Sequence, residues 1–409
     1  MEINTKISNI NQRLKIVFLT PRFPYPLIGG DRLKPYYLLS HLAKKHEVTL
    51  VTFFQGREAP KSFIKAIENL GVELAVVPLD PINAGLRSAF KLLSRFPLEV
   101  LFYNQPQFAK ALNDKIAVKN FDLGISFFYR TAEFIKNRQF KKILIAEDCR
   151  TLYQLRSYQN SNNLKQKMIR YWEYKKLEKY EPEIINHFDI TTYVSHQDIG
   201  AVKKINPTAN LALLTNGVDI EKFNIPADNS GRTGLLFAGK LDVWSNTQCT
   251  ANIANFILPK VKKSFPDIKF NIVGAKPPDS VQKLANSSNS ITLESDVPEM
   301  QPYLRNSKVF IHPHFGGSGI QNKLIEAMAC GCPVVTTPSG IQGIDAVNGE
   351  SVLIGNNFDE LAELTIKILK DEDFASNIAI NARKHIEKKH SWDVIYKSFD
   401  DIINSVIFA

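Results

Sequence analysis

The sequence predicts an α/β protein made of two Rossmann-like domains with parallel sheets. Three observations carry this. Short β-rich runs alternate with helix-period stretches along the whole chain, the pattern of parallel strands joined by helical crossovers. The alternation pauses once, at a polar stretch rich in breakers, Ile225–Gly231, and then starts again. In each half the first strand leads into a glycine-bearing loop, Gly29–Gly30 in one and Gly239 in the other.

In the first half the strand-like runs are Lys15–Thr20, Val48–Phe54, Val72–Val77, Leu123–Phe127, Ile143–Ala146 and Ile190–Val194. Between them lie stretches of helical period such as Lys34–Lys45 and Pro106–Lys119, and a charged, aromatic-laced helix is predicted over Lys165–His187. The loop after the first strand, Thr20–Asp31 (TPRFPYPLIGGD), holds three prolines that keep it non-helical. Gly29 and Gly30 give it backbone freedom before a helix that Asp31 is expected to cap. It is not G-x-G-x-x-G, so it carries no dinucleotide fingerprint. Arg22 and Arg32 are cations beside it. Asp148, just after the Ile143–Ala146 strand, stands where cleft residues stand in such sheets.

The second half reads Gly234–Ala238, Lys269–Val273, Ile291–Glu294, Lys308–His312, Pro333–Thr337 and Ser351–Ile354 as strands. Its most informative stretch is Phe315–Pro333, FGGSGIQNKLIEAMACGCP. Gly316, Gly317 and Gly319 open a flexible loop; an amphipathic helix follows over Ile320–Cys330; Gly331 and Pro333 stop it. Strand, glycine loop, helix and strand in that order aim free N–H groups and a helix N-terminus at an anion, most often a phosphate. The same loops occur wherever a strand must turn sharply, and that reading stands beside the first. Asn322, Lys323 and Glu326 add side chains from the first two turns.

A chain of 409 residues exceeds one core. No apolar run approaches the roughly 18 residues that span a bilayer, and the first residues lack the apolar core of a signal peptide. A cytoplasmic protein is expected. Cys149, Cys249, Cys330 and Cys332 make no disulfide or zinc spacing and read as reduced core residues. His312 and His314, either side of Pro313, read as structural or cleft-lining. No metal site is expected. Residues 1–150 hold 23 Lys and Arg against 13 Asp and Glu, whereas residues 151–409 hold 28 of each, so the net charge of +10 lies in the first part of the chain. Such a surface suits an anionic partner, a membrane face or a polyphosphate-linked acceptor; a generic solubilising surface is the other reading. The basic face expected to meet a membrane is that of the first helix, with Lys34, Lys44 and Lys45. Nucleic acid is disfavoured: there is no zinc-finger spacing, RNP-like strand or long basic block.

The segment GSGIQNKLIEAMACGCPVVTT resembles the donor-binding helix of retaining glycosyltransferases of family 4, which have the GT-B fold. NGVDIEKF, residues 216–223, resembles the segment that ends their first domain, and FAGKLDVWSN, residues 237–246, their position where a cation meets the donor diphosphate. The resemblance implies two Rossmann-like domains with sheets facing across a cleft: residues 1–220 on the acceptor side, 232–390 for the nucleotide sugar, and a last helix, 391–409, packing back on the first domain. It implies a metal-independent transferase with retention of anomeric configuration, no cofactor, and a UDP- or GDP-linked donor. The acceptor would be a glycan or lipid-linked molecule of bacterial exopolysaccharide or cell-surface glycan type, met at the inner face of the plasma membrane. Donor-binding roles fall on Gly29, Gly30, Lys240, Asn246, Gly319, Ile320, Gln321, Asn322, Lys323 and Glu326; the catalytic candidates are Lys240, Lys323 and Asp148. Two features depart from the family pattern. Ser318 replaces the first of its two glutamates, and residues 126–134, SFFYRTAEF, lack the histidine it often carries there. A non-catalytic nucleotide-sugar-binding protein and a GT-B-like sugar-nucleotide epimerase are the alternatives.

Overall fold

The computed structural model describes residues 12–27, 29–161, 163–225, 231–316 and 319–409. The chain forms two compact units: residues 1–214 with 396–409, and residues 215–395. Of the expected linker at 220–232, residues 226–230 lie outside the described residues, as do Gly317 and Ser318.

The first unit is built on seven strands: β1 (Lys15–Thr20), β2 (Glu47–Gln55), β3 (Glu73–Leu79), β4 (Leu123–Phe127), β5 (Lys141–Glu147), β6 (Ile190–Tyr193) and β7 (Leu211–Leu213). They lie in the order β3-β2-β1-β4-β5-β6-β7, and every pairing is parallel. The chain starts in the middle, runs outward to β3, then crosses over to β4. This puts a topological switch point between β1 and β4, where such sheets leave a crevice at the strands' carboxyl ends. The strands are nearly all apolar because helices cover both faces. Val17, Leu19, Val51, Phe53 and Leu144 meet Phe108, Leu112, Leu177 and Ile184 from the helices in one core.

Two expectations about the first helix, Gly30–Ala43, are corrected. Gly29, with φ 91°, is its N-cap, and Asp31 lies inside the first turn, 2.7 Å from Arg22 Nη1, rather than capping it. Lys34 does not face solvent. It shares the buried stripe of Leu38, His41 and Leu42, is 1% exposed, and donates from Nζ to Glu147 Oε1 at 2.5 Å and to Leu214 O at 2.7 Å. A lysine at i with apolar residues at i+4 and i+8 belongs to the inward face of a helix whatever its charge. Lys45 is held by Asp400 at 2.7 Å, and His41 stacks on Tyr396 at 4.2 Å between ring centroids. These contacts seat the last helix, Trp392–Ile407, from Tyr396 onward in the first unit.

The second unit repeats the plan with β8 (Thr233–Ala238), β9 (Phe270–Gly274), β10 (Ile291–Ser295), β11 (Ser307–His312), β12 (Val334–Thr336) and β13 (Leu353–Ile354). Their order is β10-β9-β8-β11-β12-β13, all parallel, with the switch point between β8 and β11. One face packs on Ile253, Ile257, Val261, Leu361 and Ile368; the other on Leu324, Ala327, Met328 and Ile386. Trp392 packs against Gly217, where a side chain would meet the indole ring at 2.6 Å.

Candidate functional site

The second unit's switch point gathers most of the residues singled out in the sequence. Beyond β8 the chain passes through Gly239 and Lys240; beyond β11 it passes through His312–Gly319 into the helix Asn322–Ala329. That helix ends as its sequence requires. Gly331 takes φ 62°, its N–H reaches Met328 O at 3.0 Å, and the N–H of Cys332 reaches Ala327 O at 2.9 Å. This pair of bonds is the Schellman closure, which needs a left-handed residue just past the helix.

Lys323, Asn246 and Gly239 converge. Lys323 Nζ donates to Asn246 Oδ1, Asn246 Nδ2 donates to Lys240 O at 2.8 Å, and the ammonium lies 5.1 Å from the Phe237 ring centroid. A Cβ on Gly239 would stand 3.1 Å from both Asn246 Nδ2 and Lys323 Nζ, so glycine keeps open the space these two groups face. Burial drives the Lys323 ammonium down to about 8, with only the Cys249 thiol and Glu326 acting the other way. Glu326, one turn on, is pushed up to about 7 by burial, against the pull of Lys323 and Lys222, and its carboxylate has no hydrogen-bond partner among the described residues. A cation and a carboxylate, each partly buried and each short of partners among the described residues, form a site ready for a ligand that brings both an anion and hydroxyl donors.

The remaining members differ. Lys240 is exposed and leans 3.4 Å from Asp242. Asn322 Oδ1 accepts from Asn216 Nδ2 at 2.7 Å, which ties the start of the helix to the 216–219 turn. Gln321 occupies the N-cap without a side-chain bond, Gly319 has φ 79°, and Ile320 packs into the core.

Sequence spacing did not reveal one cluster. Cys249, His312 and His314 bring ligand-capable atoms to within 4.8 Å of one another. His312 is buried, stacks between Phe237 and His314, and bonds Thr336 Oγ1 through Nδ1 at 3.3 Å; its Nε2 has no partner among the described residues. Burial, then the charge of Lys323, drive His312 well below the ordinary imidazole range and His314 to about 4. Three soft ligands would suit zinc by type, but the neighbouring ammonium repels a divalent cation. The local field favours an anion. The sequence's Asp-x-Asp spacing, Asp371–Asp373, is a helix N-cap: Asp371 accepts from Phe374 N at 2.9 Å. No carboxylate joins the cysteine and histidines among the described residues.

Asp148 belongs to the first unit, just past the end of β5, in an ion network. Arg150 reaches Asp148 at 3.1 Å and Glu99 at 2.9 Å, and Arg130 reaches Glu99 at 3.2 Å. The two arginines hold Glu99 down to about 2 despite its burial. Nearby, at the ends of the adjacent strands β4 and β5, Phe128 and Glu147 take φ 65° and 70°, a left-handed conformation that costs an L-residue energy and tends to cluster where function constrains the backbone. Gly29 and Gly30 follow β1 in the same sheet.

Residues 232–371 match the family model described as glycosyl transferases group 1. The chain is 24% identical over 406 residues, 94% of its own length and 98% of the relative's, to an uncharacterized 44.6 kDa protein in the cps region of Klebsiella pneumoniae. It is 33% identical over 123 residues, 29% of the chain and 31% of the relative, to the capsular polysaccharide biosynthesis glycosyltransferase CapM of Staphylococcus aureus. Among solved structures, Anabaena Alr3699/HepE in complex with UDP-glucose superposes with a TM-score of 0.68 at 14% identity, covering 96% of this chain and 100% of that one. The two doubly wound sheets are the GT-B fold. Fold and family match together define a GT-B glycosyltransferase. Its second unit carries the group 1 glycosyl transferase module.

Proposed function

We propose that the protein is a retaining, metal-independent glycosyltransferase of family 4. It moves a sugar from a UDP- or GDP-linked donor to a glycan or lipid-linked acceptor in bacterial exopolysaccharide or surface-glycan synthesis. It works in the cytoplasm, at the inner face of the plasma membrane. Among the described residues no helix is long and apolar enough to cross a membrane. The observation that carries the reading is the convergence of Lys323 and Asn246 on the open space beside Gly239, with the Glu326 carboxylate, which has no hydrogen-bond partner among the described residues, one turn away.

In this reading Lys323 and Lys240 meet the donor diphosphate, and Glu326 accepts the ribose hydroxyls. Gly319, Ile320, Gln321 and Asn322 present backbone and side chain to the donor at the head of the 322–329 helix. The bond from the anomeric carbon to the diphosphate oxygen breaks as the acceptor oxygen bonds the same face of that carbon. The acceptor's proton passes to the departing diphosphate. Negative charge grows on that leaving group, and a fixed ammonium stabilises it without a metal; holding the two oxygens on one face supplies much of the rest. Asn246 orients Lys323, and the low-dielectric wall of Phe237 and His312 strengthens its field.

A thermal-shift panel of UDP- and GDP-sugars, each with excess EDTA, tests this. At least one donor should raise Tm, and EDTA should leave the shift unchanged. No shift with any nucleotide sugar, or one that appears only with a divalent ion, would overturn it.

A further inference from the structure

The first unit carries an exposed apolar stripe. The helix Pro81–Phe90 buries Ala84 and Ser88 and turns its opposite side outward, with Ile82 75%, Leu86 55% and Phe90 90% exposed; Leu93, just beyond, is 97% exposed. At 100° per residue the three helix positions fall within about 80° of arc, one continuous face. With Leu92, five exposed large apolar side chains in twelve residues exceed the scattered exposure normal for a surface.

Cations edge this stripe. Arg87, Lys91 and Arg95 lie in the same segment, and Lys91 forms no ion pair among the described residues. The segment is fixed to the helix Leu164–Ile185, because Lys176 Nζ donates to Leu92 O at 2.7 Å and to Phe96 O at 3.0 Å. There Arg95, Trp172, Lys175, Lys176, Lys179 and Glu183 line a pocket beside it. Glu183 pairs with Arg95 at 3.2 Å and Glu178 with Lys175 at 2.5 Å, while Lys179 has no ion-pair partner among the described residues. The cations outnumber the carboxylates around the pocket. A second copy of this chain would bring like charges together, which opposes self-association through this face.

We infer that this surface seats the first unit on an anionic phospholipid bilayer. Ile82, Leu86, Phe90 and Leu93 enter the boundary between headgroups and acyl chains, and Lys91, Arg95 and Lys179 take lipid phosphates. An apolar face edged with lysine and arginine is what binds in the plane of such an interface. The inference rests on the reading that the protein works at a membrane, and it moves the contact away from the first helix, whose Lys34 is buried and whose Lys45 is paired.

The test is co-sedimentation of the full chain with phosphatidylcholine vesicles and with vesicles containing phosphatidylglycerol, at low and high salt. The proteins are wild type, the double variant Phe90→Ser with Leu93→Ser, and the control Lys388→Glu with Lys389→Glu. Both serine positions are almost fully exposed, so folding is unaffected, and an unchanged Tm verifies it. The wild type should bind the anionic vesicles, and high salt should weaken this binding. The serine variant should lose at least about tenfold in partitioning, and the control should stay within about twofold of wild type. A serine variant that binds like wild type overturns this surface while leaving a membrane role standing. Wild type that fails to bind anionic vesicles at low salt overturns both. Equal wild-type binding to neutral vesicles overturns the part assigned to the cations.

Discussion

Lys323 titrates unusually close to neutral pH in the free protein. Burial brings its pKa from 10.5 to about 8, and lowering a pKa by one corresponds to about 1.4 kcal/mol. The fold thus sets roughly 3 kcal/mol against charging this amine, which a bound diphosphate can relieve by restoring the ordinary ammonium. Linkage then fixes the shape of the affinity curve. Below pH 8 the lysine carries its proton both free and bound, and affinity does not depend on it. Above pH 8 the free protein must take up a proton to bind, and Kd rises about tenfold per pH unit until the bound-state value is passed. Titration calorimetry with the nucleoside diphosphate of the preferred donor should show Kd about tenfold weaker at pH 9 than at pH 7. Two buffers of different ionisation enthalpy should report uptake of close to one proton at pH 9. Lys323→Arg, charged throughout, should bind without the weakening above pH 8; Lys323→Met should bind weakly at both pH values, again without that weakening. A wild-type Kd independent of pH from 7 to 9.5, or a slope that survives in Lys323→Met, would refute the assignment of the diphosphate to Lys323.

Glu326→Gln should cost about 1.5–3 kcal/mol of nucleotide affinity. Because burial raises this carboxyl to about 7, wild-type affinity should improve as pH climbs through that value, and calorimetry on the variant should show no such rise. Lys34→Met leaves Glu147 buried without its cation, so thermal or urea unfolding should show a loss of about 3–5 kcal/mol; adding Glu147→Leu should recover much of it. Gly340→Ala puts a methyl group onto Thr336 Oγ1 and 2.8 Å from His312 Nδ1. It should displace the His312 wall and weaken nucleotide binding, with circular dichroism unchanged.

The strands were legible because parallel sheets covered on both faces make continuous apolar runs, and KIVFLT, GLLFA and KVFIH appear as strands within one or two residues of expectation. The 322–329 helix was legible through its stop signals, Gly331 and Pro333. What the chain did not reveal depends on neighbours distant in sequence. Lys34 reads as a surface charge until Glu147, 113 residues away, is placed against it. Cys249 is the buried core residue its sequence suggests, but its place beside His312 and His314 appears only once the crossover is folded. Asp31 looked like a cap because a short polar residue after two glycines is the usual signal, but the helix begins one residue earlier, at Gly30. The apolar face of the 81–90 helix passed unnoticed because Ile82, Leu86 and Phe90 have the spacing of an ordinary buried stripe. Only the packing of Ala84 and Ser88 shows which side turns inward.

The central claim, retaining transfer without a metal, is tested most directly with water as acceptor. The donor that stabilises the protein is incubated with it and excess EDTA, and the first sugar released is followed by proton NMR before mutarotation. The account predicts one nucleoside diphosphate per sugar and a first-formed anomer with the donor's configuration, both lost in Lys323→Met. An inverted first anomer, turnover that EDTA abolishes and a divalent ion restores, or an interconverted free nucleotide sugar without cleavage would contradict it.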